Sequence, residues 1–347
     1  MSDLSRQAVE AVDSRRMVDD VLDQPAQLAD ALHRVESAGI EPRERAGGLV
    51  VCGMGGSAIG ADLAAAAIGP RARRPIGVVR GYELDPWTGP DTLVLCTSYS
   101  GDTEEALACF EAAGEAGAPR VAVTIGGALA ENARAAGVPV IGIPSGFQPR
   151  AAVAYIVVAA LECAAACGAA PSLREEVGAA AESLAGLAPG WSPDAPEDSE
   201  PKALARALWG SIPVVHGAEA TVPVARRWKT QLNENPKLPA FWAELPEANH
   251  NEICGWERAR DLGPFSAVFL ADADQHPRVE RRIQLTAAAV AAAGGGVERA
   301  ESRGDTRTAR LLSLVMLGDL VSVYVAVLAG TDPSPVDAIE RLKTQLG

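Results

Sequence analysis

The chain has 347 residues, which at roughly 150 residues per domain is enough for two domains with real cores. Apolar residues make up 48% of it and aromatics only 4%, which excludes a largely disordered chain and predicts a core of Ala, Val, Leu and Ile rather than large rings. With 31 Lys and Arg against 45 Asp and Glu, the formal charge of -14 argues against nucleic acid and anionic lipid as partners, and an anionic small ligand must find local positive potential.

Residues 1–40 show a helical pattern, with Val9, Val12, Met17, Val21 and Leu22, then Leu28, Leu32 and Val35, spaced by threes and fours among charges. The first twenty residues contain no apolar stretch of signal-peptide type, so export is not expected. From Gly48 short apolar runs alternate with helical stretches. Strands are predicted at 48–52, 76–79, 92–97, 121–125 and 138–143, with helices at 57–68, up to about 116, and up to about 136. That alternation predicts a parallel sheet with helices on both faces. A long helix follows over about 150–167. Residues 169–200 collect Pro171, Pro189, Pro193, Pro196, Gly186, Gly190 and a run of acids, which suits a connection that is helical around 173–184. The alternation then restarts: strands at 213–216 and 267–270, and helices at 220–232, 279–293 and 306–329. The predicted organisation is a helical lead-in (1–44), a first α/β domain (45–168), a connection (169–200) and a second α/β domain with a C-terminal helix (201–347).

Two segments have the length of a membrane span, 151–170 and 311–330, but each carries a central acid, Glu162 and Asp319. They read as buried helices rather than spans. The six cysteines, at 52, 96, 109, 163, 167 and 254, form no C-x-x-C pair and no zinc-ligand spacing. They read as reduced thiols of a cytoplasmic protein.

Two turns between a strand and a helix can hold a phosphate. In Gly53-Met-Gly-Gly-Ser57 the glycines Gly55 and Gly56 let the backbone approach a ligand, and Ser57 offers a hydroxyl at the helix N-cap. The spacing of Gly53, Gly55 and Ala58 also fits a dinucleotide turn. The acid such a fold requires after the second strand is missing, since Arg80 stands there and Glu83 lies beyond it. The second turn, Ser98-Tyr-Ser-Gly-Asp-Thr103, gathers Ser98, Ser100 and Thr103 around Gly101. A phosphomonoester uses such a set of hydroxyls and a dinucleotide does not, while an ordinary capping box is the bland alternative.

These two turns together resemble the phosphosugar-binding loops of the sugar isomerase (SIS) domain. Over about residues 45–347 the chain resembles the bifunctional phosphoglucose/phosphomannose isomerases, which contain two such domains. The resemblance implies an α/β fold of two SIS-type domains, each a parallel sheet flanked by helices. It also implies an aldose-ketose isomerase with neither cofactor nor metal, acting on glucose 6-phosphate and mannose 6-phosphate to give fructose 6-phosphate through an enediolate. In that family a Glu within Asn-Glu-Asn is the base, here Glu234. A His in Pro-Glu-x-x-His-Asn assists ring opening, here His250. An Arg in Pro-Arg-Ala-Ala stabilises the enediolate, here Arg150. Lys343 matches a lysine near the C-terminus. On composition alone Glu234 also reads as a surface acid and Lys343 as a solvated helix charge. Related enzymes share the site across a homodimer, with the His supplied by the partner. Thr331 and Ser334, before the last helix, are candidates for a hydroxyl that tolerates both C2 epimers. A non-catalytic phosphosugar-binding protein is the alternative, and a dehydrogenase is the rival from the dinucleotide reading. His33, His216 and His276, like Trp228 and Trp242, read as structural.

Overall fold

The computed structural model describes residues 3–346. In chain order the helices α1 (Arg6–Val12), α2 (Met17–Leu22) and α3 (Gln24–Ser37) precede β1 (Gly48–Cys52), α4 (Gly55–Ile68), β2 (Ile76–Val79), β3 (Thr92–Thr97), α5 (Glu104–Glu115), β4 (Arg120–Thr124), α6 (Gly127–Ala135), β5 (Val140–Gly142) and α7 (Val153–Ala166). There follow α8 (Arg174–Trp191), α9 (Glu200–Leu208), β6 (Ile212–Ala218), α10 (Val222–Glu234), β7 (Phe241–Leu245), α11 (Ala259–Leu262), β8 (Phe265–Ala271), α12 (Pro277–Ala292), β9 (Gly296–Glu301), α13 (Arg307–Leu328) and α14 (Asp337–Leu346). Contacts divide these into two compact units, one made of residues 23–185 with 303–312 and the other of the remaining described residues.

The unit containing 23–185 is built on a sheet of order β2-β1-β3-β4-β5, parallel throughout. Its central strands β1 and β3 are buried at every position, as strands covered on both faces must be, and this is why they read as unbroken apolar runs. Cys52, Cys96 and Cys109 lie in this core as small hydrophobes beside Val50, Val94 and Phe110. The second unit has a parallel sheet of order β7-β6-β8-β9. The fold class is therefore the predicted one. In each sheet the strand order reverses once, between β1 and β3 in the first and between β6 and β8 in the second. The crevice beyond the carboxyl ends at such a point is where open α/β sheets bind ligands.

The N-terminal pattern resolves into three helices. The Asp13 carboxylate accepts bonds from the N–H groups of Met17 (2.9 Å) and Val18 (2.8 Å), and Arg16 has φ 56, so a capped turn restarts the helix. The predicted helix at 150–167 begins one turn later, because residues Pro149–Ala152 form a 3-10 turn. Between 169 and 200 the structure is more ordered than composition implies: α8 runs through Gly186, Pro189 and Gly190 and ends on buried Trp191. The helix α9 was not predicted. Its Lys202 is fully buried, with Nζ donating to the carbonyls of Pro193 (2.9 Å) and Ala195 (2.8 Å) and pairing with Glu197. The edge strands β7 and β9 were also missed, since half of each faces outward and carries Glu or Arg.

The two apolar segments that match a membrane span in length are buried within the protein, over 78% and 89% of their apolar windows. Each interrupting acid has an arginine partner. Glu162 accepts from Arg174 Nε at 2.6 Å, and Asp319 forms a fully buried pair with Arg227.

His216 on β6 is 2% exposed and stacks on Phe269 with ring centroids 4.8 Å apart. Burial pushes its imidazole down to about 4 from 6.5. The folded ring stays neutral while the unfolded chain binds a proton below pH 6.5, so this contribution to stability is present above pH 6.5. It is lost as pH falls from 6.5 towards 4, by about 3 kcal/mol in all. His216→Phe is expected to flatten the dependence of unfolding free energy on pH in that window. An unchanged slope in chemical-denaturation series would show that the ring titrates normally.

Candidate functional site

Within the first sheet, β1 and β3 are neighbours in register, with Cys52 opposite Cys96. Thr97 Oγ1 donates to the Cys52 carbonyl at 3.0 Å, which ties the ends of the two strands together. A Cβ at Gly53 would lie 2.3 Å from that hydroxyl, so the first loop can leave β1 here only as glycine. Both candidate phosphate loops therefore emerge side by side at the reversal point of the sheet.

In the first loop α4 begins at Gly55, with Met54 at the N-cap and no side-chain cap. Ser57 lies inside the first turn rather than at the cap that the sequence suggested, since α4 already begins at Gly55, whose φ of 51 only glycine takes without strain. The uncapped first turn offers N–H groups to an anion. Gly56 serves a second purpose: a Cβ there would stand 3.2 Å from the Arg150 Cα. The missing side chain lets the 3-10 turn carrying Arg150, itself buried, lie directly against the loop.

In the second loop Ser98 is buried, and its Oγ accepts from Gly101 N (3.0 Å) and Thr103 N (3.4 Å) and lies 2.7 Å from Thr103 Oγ1. Ser100 is exposed, and its Oγ accepts from Asp102 N at 3.2 Å. The structure thus joins Ser98 to Thr103 and leaves Ser100 at the loop surface. Thr103 is the N-cap of α5 without a side-chain cap bond of its own. Asp102 turns away and accepts from Ala128 N at 3.0 Å, at the start of α6. Gly101 has φ 86, and a Cβ there would come within 1.9 Å of the Gly126 carbonyl. Gly101→Ala is expected to destabilise this loop by about 2–4 kcal/mol, from left-handed strain plus overlap. A thermal midpoint equal to that of the unaltered chain would contradict this.

The dinucleotide reading loses its remaining support here. Arg80, its candidate for a 2′-phosphate, is ion-paired with Asp62 of α4.

In the second unit Glu234 is the last residue of α10 and half-buried, rather than following the helix as predicted. One face of α10 carries Arg227, Gln231 and Asn235, four residues apart, against α13. Arg227 donates to Asp319 through Nε (2.9 Å) and a terminal nitrogen (2.7 Å), Gln231 Nε2 donates to Asp319 Oδ1 (2.9 Å), and Asn235 Nδ2 donates to Ser322 Oγ (2.8 Å). Trp228 is buried on the same helix with Nε1 on the Leu314 carbonyl (2.8 Å), a packing role as predicted. After Glu234 the chain turns through Lys237, at φ 58, into β7.

His250 closes a 3-10 turn, Glu247–His250, that follows β7. It is exposed, and its neighbours hold the turn. Ala248 is buried in the core formed by Ala218, Leu245, Trp256, Phe269 and Ile283. Asn249 Nδ2 donates to Thr286 Oγ1 at 2.7 Å, on α12. The helix α10 leads from β6 to β7 and α12 from β8 to β9, in opposite directions across the sheet, so right-handed crossovers put them on opposite faces. Glu234 ends α10 ahead of β7, and His250 closes the turn that follows β7.

Lys343 is exposed on α14, a helix with no buried residue. Thr331 and Ser334 lie in the turn before it, Thr331 with its N–H on the Ala326 carbonyl (2.9 Å) and Ser334 buried, its N–H on Asp332 Oδ1 (3.0 Å). Two of the other histidines have structural places, His216 in the core and His276 accepting from Arg278 N at 3.1 Å to cap α12, while His33 is exposed on α3. No group of three His, Cys, Asp or Glu among the described residues is arranged to hold a metal ion. Close to Glu234, Lys237 is held at φ 58. A non-glycine residue held at positive φ is a signal that only coordinates supply.

Comparison with known proteins agrees with this fold. Residues 197–346 match the family described as the bacterial phospho-glucose isomerase C-terminal SIS domain. The chain is 38% identical over 301 residues to a bifunctional phosphoglucose/phosphomannose isomerase of Caldicellulosiruptor bescii, covering 86% of this chain and 89% of that one. It is 36% identical over 305 residues to the enzyme of the same name from Aquifex aeolicus, covering 86% and 90%. A crystal structure of a glucose-6-phosphate isomerase like protein from Thermus thermophilus superposes with a TM-score of 0.63 at 19% identity, covering 99% of both chains. Two parallel α/β units, the second of them matching an SIS-domain family, define an SIS-domain protein. The chain belongs to the bifunctional phosphoglucose/phosphomannose isomerase family.

Proposed function

We propose that this enzyme interconverts glucose 6-phosphate, and mannose 6-phosphate by the same route, with fructose 6-phosphate. The observation that carries the reading is the pair of loops at the β1/β3 reversal, backed by the Arg150 turn. A phosphate can take the place of the Ser98–Thr103 contact, each hydroxyl exchanging its neighbour for a phosphate oxygen, while the first turn of α4 and Ser57 donate from the other strand end. Gly55 and Gly56 keep that approach open, and Ser100 closes it from the surface. In this reading Glu234 carries the proton between C2 and C1, His250 moves the ring-oxygen proton on opening, and Arg150 and Lys343 offset the enediolate charge. Both C2 epimers lead to one enediolate, with Thr331 or Ser334 as the hydroxyl that accommodates either. No cofactor or metal has a role in this route. The charged phosphate esters stay on the cytoplasmic side of a membrane, and we assign the enzyme to that compartment.

A second feature concerns assembly. The resemblance to enzymes that share the site across a homodimer supports the reading that His250 is supplied by the partner subunit. Mixing Glu234→Gln with His250→Ala subunits is expected to restore about a quarter of the activity, because half of the dimers are mixed and each has one intact site. No recovery after subunit exchange would refute shared sites. The activity itself is tested with purified protein and the three sugar phosphates in a coupled assay. Phosphosugar binding without interconversion would favour the non-catalytic alternative. A nicotinamide signal without coupling enzyme would favour the dehydrogenase.

A further inference from the structure

Lys237 follows Glu234 by three residues, and its ammonium sits among four main-chain oxygens. Nζ donates to the carbonyls of Glu234 at 2.8 Å and Asn235 at 3.2 Å, and to those of Asp332 at 3.0 Å and Pro333 at 3.3 Å. The first two belong to the C-terminal end of α10, where helix carbonyls lack partners within the helix and a cation is favoured by the dipole. The other two belong to the turn that leads to α14 and contains Thr331 and Ser334. The lysine therefore ties the last residue of α10 to that turn. Its backbone is held at φ 58, an arrangement that works against local preference and persists only where surrounding contacts hold it.

The same helix end has a second attachment, to α13. Asn235 is fully buried and donates to Ser322 on α13 at 2.8 Å. Glu234 lies between the two attachments, with its main chain fixed on one side by α13 and on the other by the ammonium.

We propose that Lys237 is a positioning residue for the Glu234 carboxylate, acting through a carbonyl cage that sets the end of α10 against the 331–334 turn. The inference rests on the assignment of Glu234 as the base. A positioning error of about 1 Å at a reacting group lowers turnover on the order of 100-fold. Lys237→Gly and Lys237→Ala are accordingly expected to lower kcat by about 10–100-fold with KM changed by less than about 3-fold. Glycine adopts positive φ without strain, so Lys237→Gly is expected to keep the thermal midpoint of the unaltered enzyme. This separates positioning from general loss of structure.

The carbonyl cage also allows chemical rescue. Methylammonium chloride is expected to raise kcat of Lys237→Gly several-fold and saturably, whereas sodium chloride at the same ionic strength does not, and the unaltered enzyme responds to neither. Retention of kcat in Lys237→Gly would overturn the inference. A kcat loss accompanied by a matching fall in thermal midpoint, without methylammonium rescue, would also overturn it and leave a purely structural lysine. Glu234→Gln run in parallel distinguishes the two levels. If that variant keeps its turnover, the base assignment fails, whereas an inactive Glu234→Gln beside a fully active Lys237→Gly removes the positioning role alone.

Discussion

Glu234→Gln is expected to lower kcat by about 10²–10⁴-fold, the range contributed by a well-placed general base. The substitution keeps the size of the side chain and removes the carboxylate that accepts the C2 proton in the proposed route. In the proposed site the phosphate contacts are made by other residues, so KM is expected to stay near that of the unaltered enzyme. Glu234 is half-buried, and the helix end around it is fastened by Asn235 and Lys237, so the thermal midpoint is expected to hold. Proton exchange gives the sharper reading. In deuterated solvent the unaltered enzyme is expected to exchange the C2 proton of glucose 6-phosphate, while Glu234→Gln binds the sugar phosphate without exchanging it. Exchange at the unaltered rate in the variant would mean that another group is the base.

The largest expected effect on stability lies at the buried pair that joins α10 to α13. Asp319→Ala is expected to destabilise the protein by about 3–5 kcal/mol, the usual consequence of breaking a buried ion pair by removing one partner. Arg227 and Asp319 are each 1% exposed at the side chain, and Gln231 also donates to the same carboxylate. Losing that carboxylate leaves a guanidinium and an amide in the core without the oxygens that face them now. With total stabilities commonly about 5–15 kcal/mol, this is a large share. The double change Arg227→Met with Asp319→Leu is expected to regain most of the loss, because well-packed apolar residues replace such a pair at little net cost. Chemical unfolding of the single and double variants checks both statements. A loss below about 1 kcal/mol for Asp319→Ala would indicate that the pair is solvated in a way its burial does not suggest.

Much of the first sheet was legible in the sequence because its signals are local. The runs at Gly48–Cys52, Ile76–Val79 and Thr92–Thr97 are buried or half-buried strands bounded by glycine-rich or hydroxyl-rich turns, and their limits in the structure are those predicted. The second unit was harder. Its edge strands β7 and β9 carry Glu and Arg on their outer sides, so alternation is diluted by charge. In α9 the buried Lys202 stands where an exposed charge is the ordinary reading, and Pro201 resembles a linker residue although it opens the helix. Pro189 and Gly190 likewise read as breakers, yet they lie in the last turn of α8, anchored by Trp191, whose carbonyl accepts from Tyr324 at 2.7 Å.

For the site, the residue types on offer and the positions of the two anion-binding turns follow from the order of amino acids alone. Strand, turn and helix N-terminus are contiguous in the chain, and their hydrogen bonding is settled within a few residues. The resemblance added roles for Arg150, Glu234, His250 and Lys343. Which groups stand beside which is a property of the folded chain. Strand order brought the two loops to one reversal point, and the absence of a side chain at Gly56 let the Arg150 turn lie against the first of them. The opposite crossovers of α10 and α12 set those two helices on different faces of the second sheet. The carbonyls around Lys237 come from segments far apart in the chain, at Glu234 and Asn235 and at Asp332 and Pro333. Periodicity records which side of an element is apolar, whereas the order and hand of the crossovers determine which elements meet, and that information is spread over the whole chain.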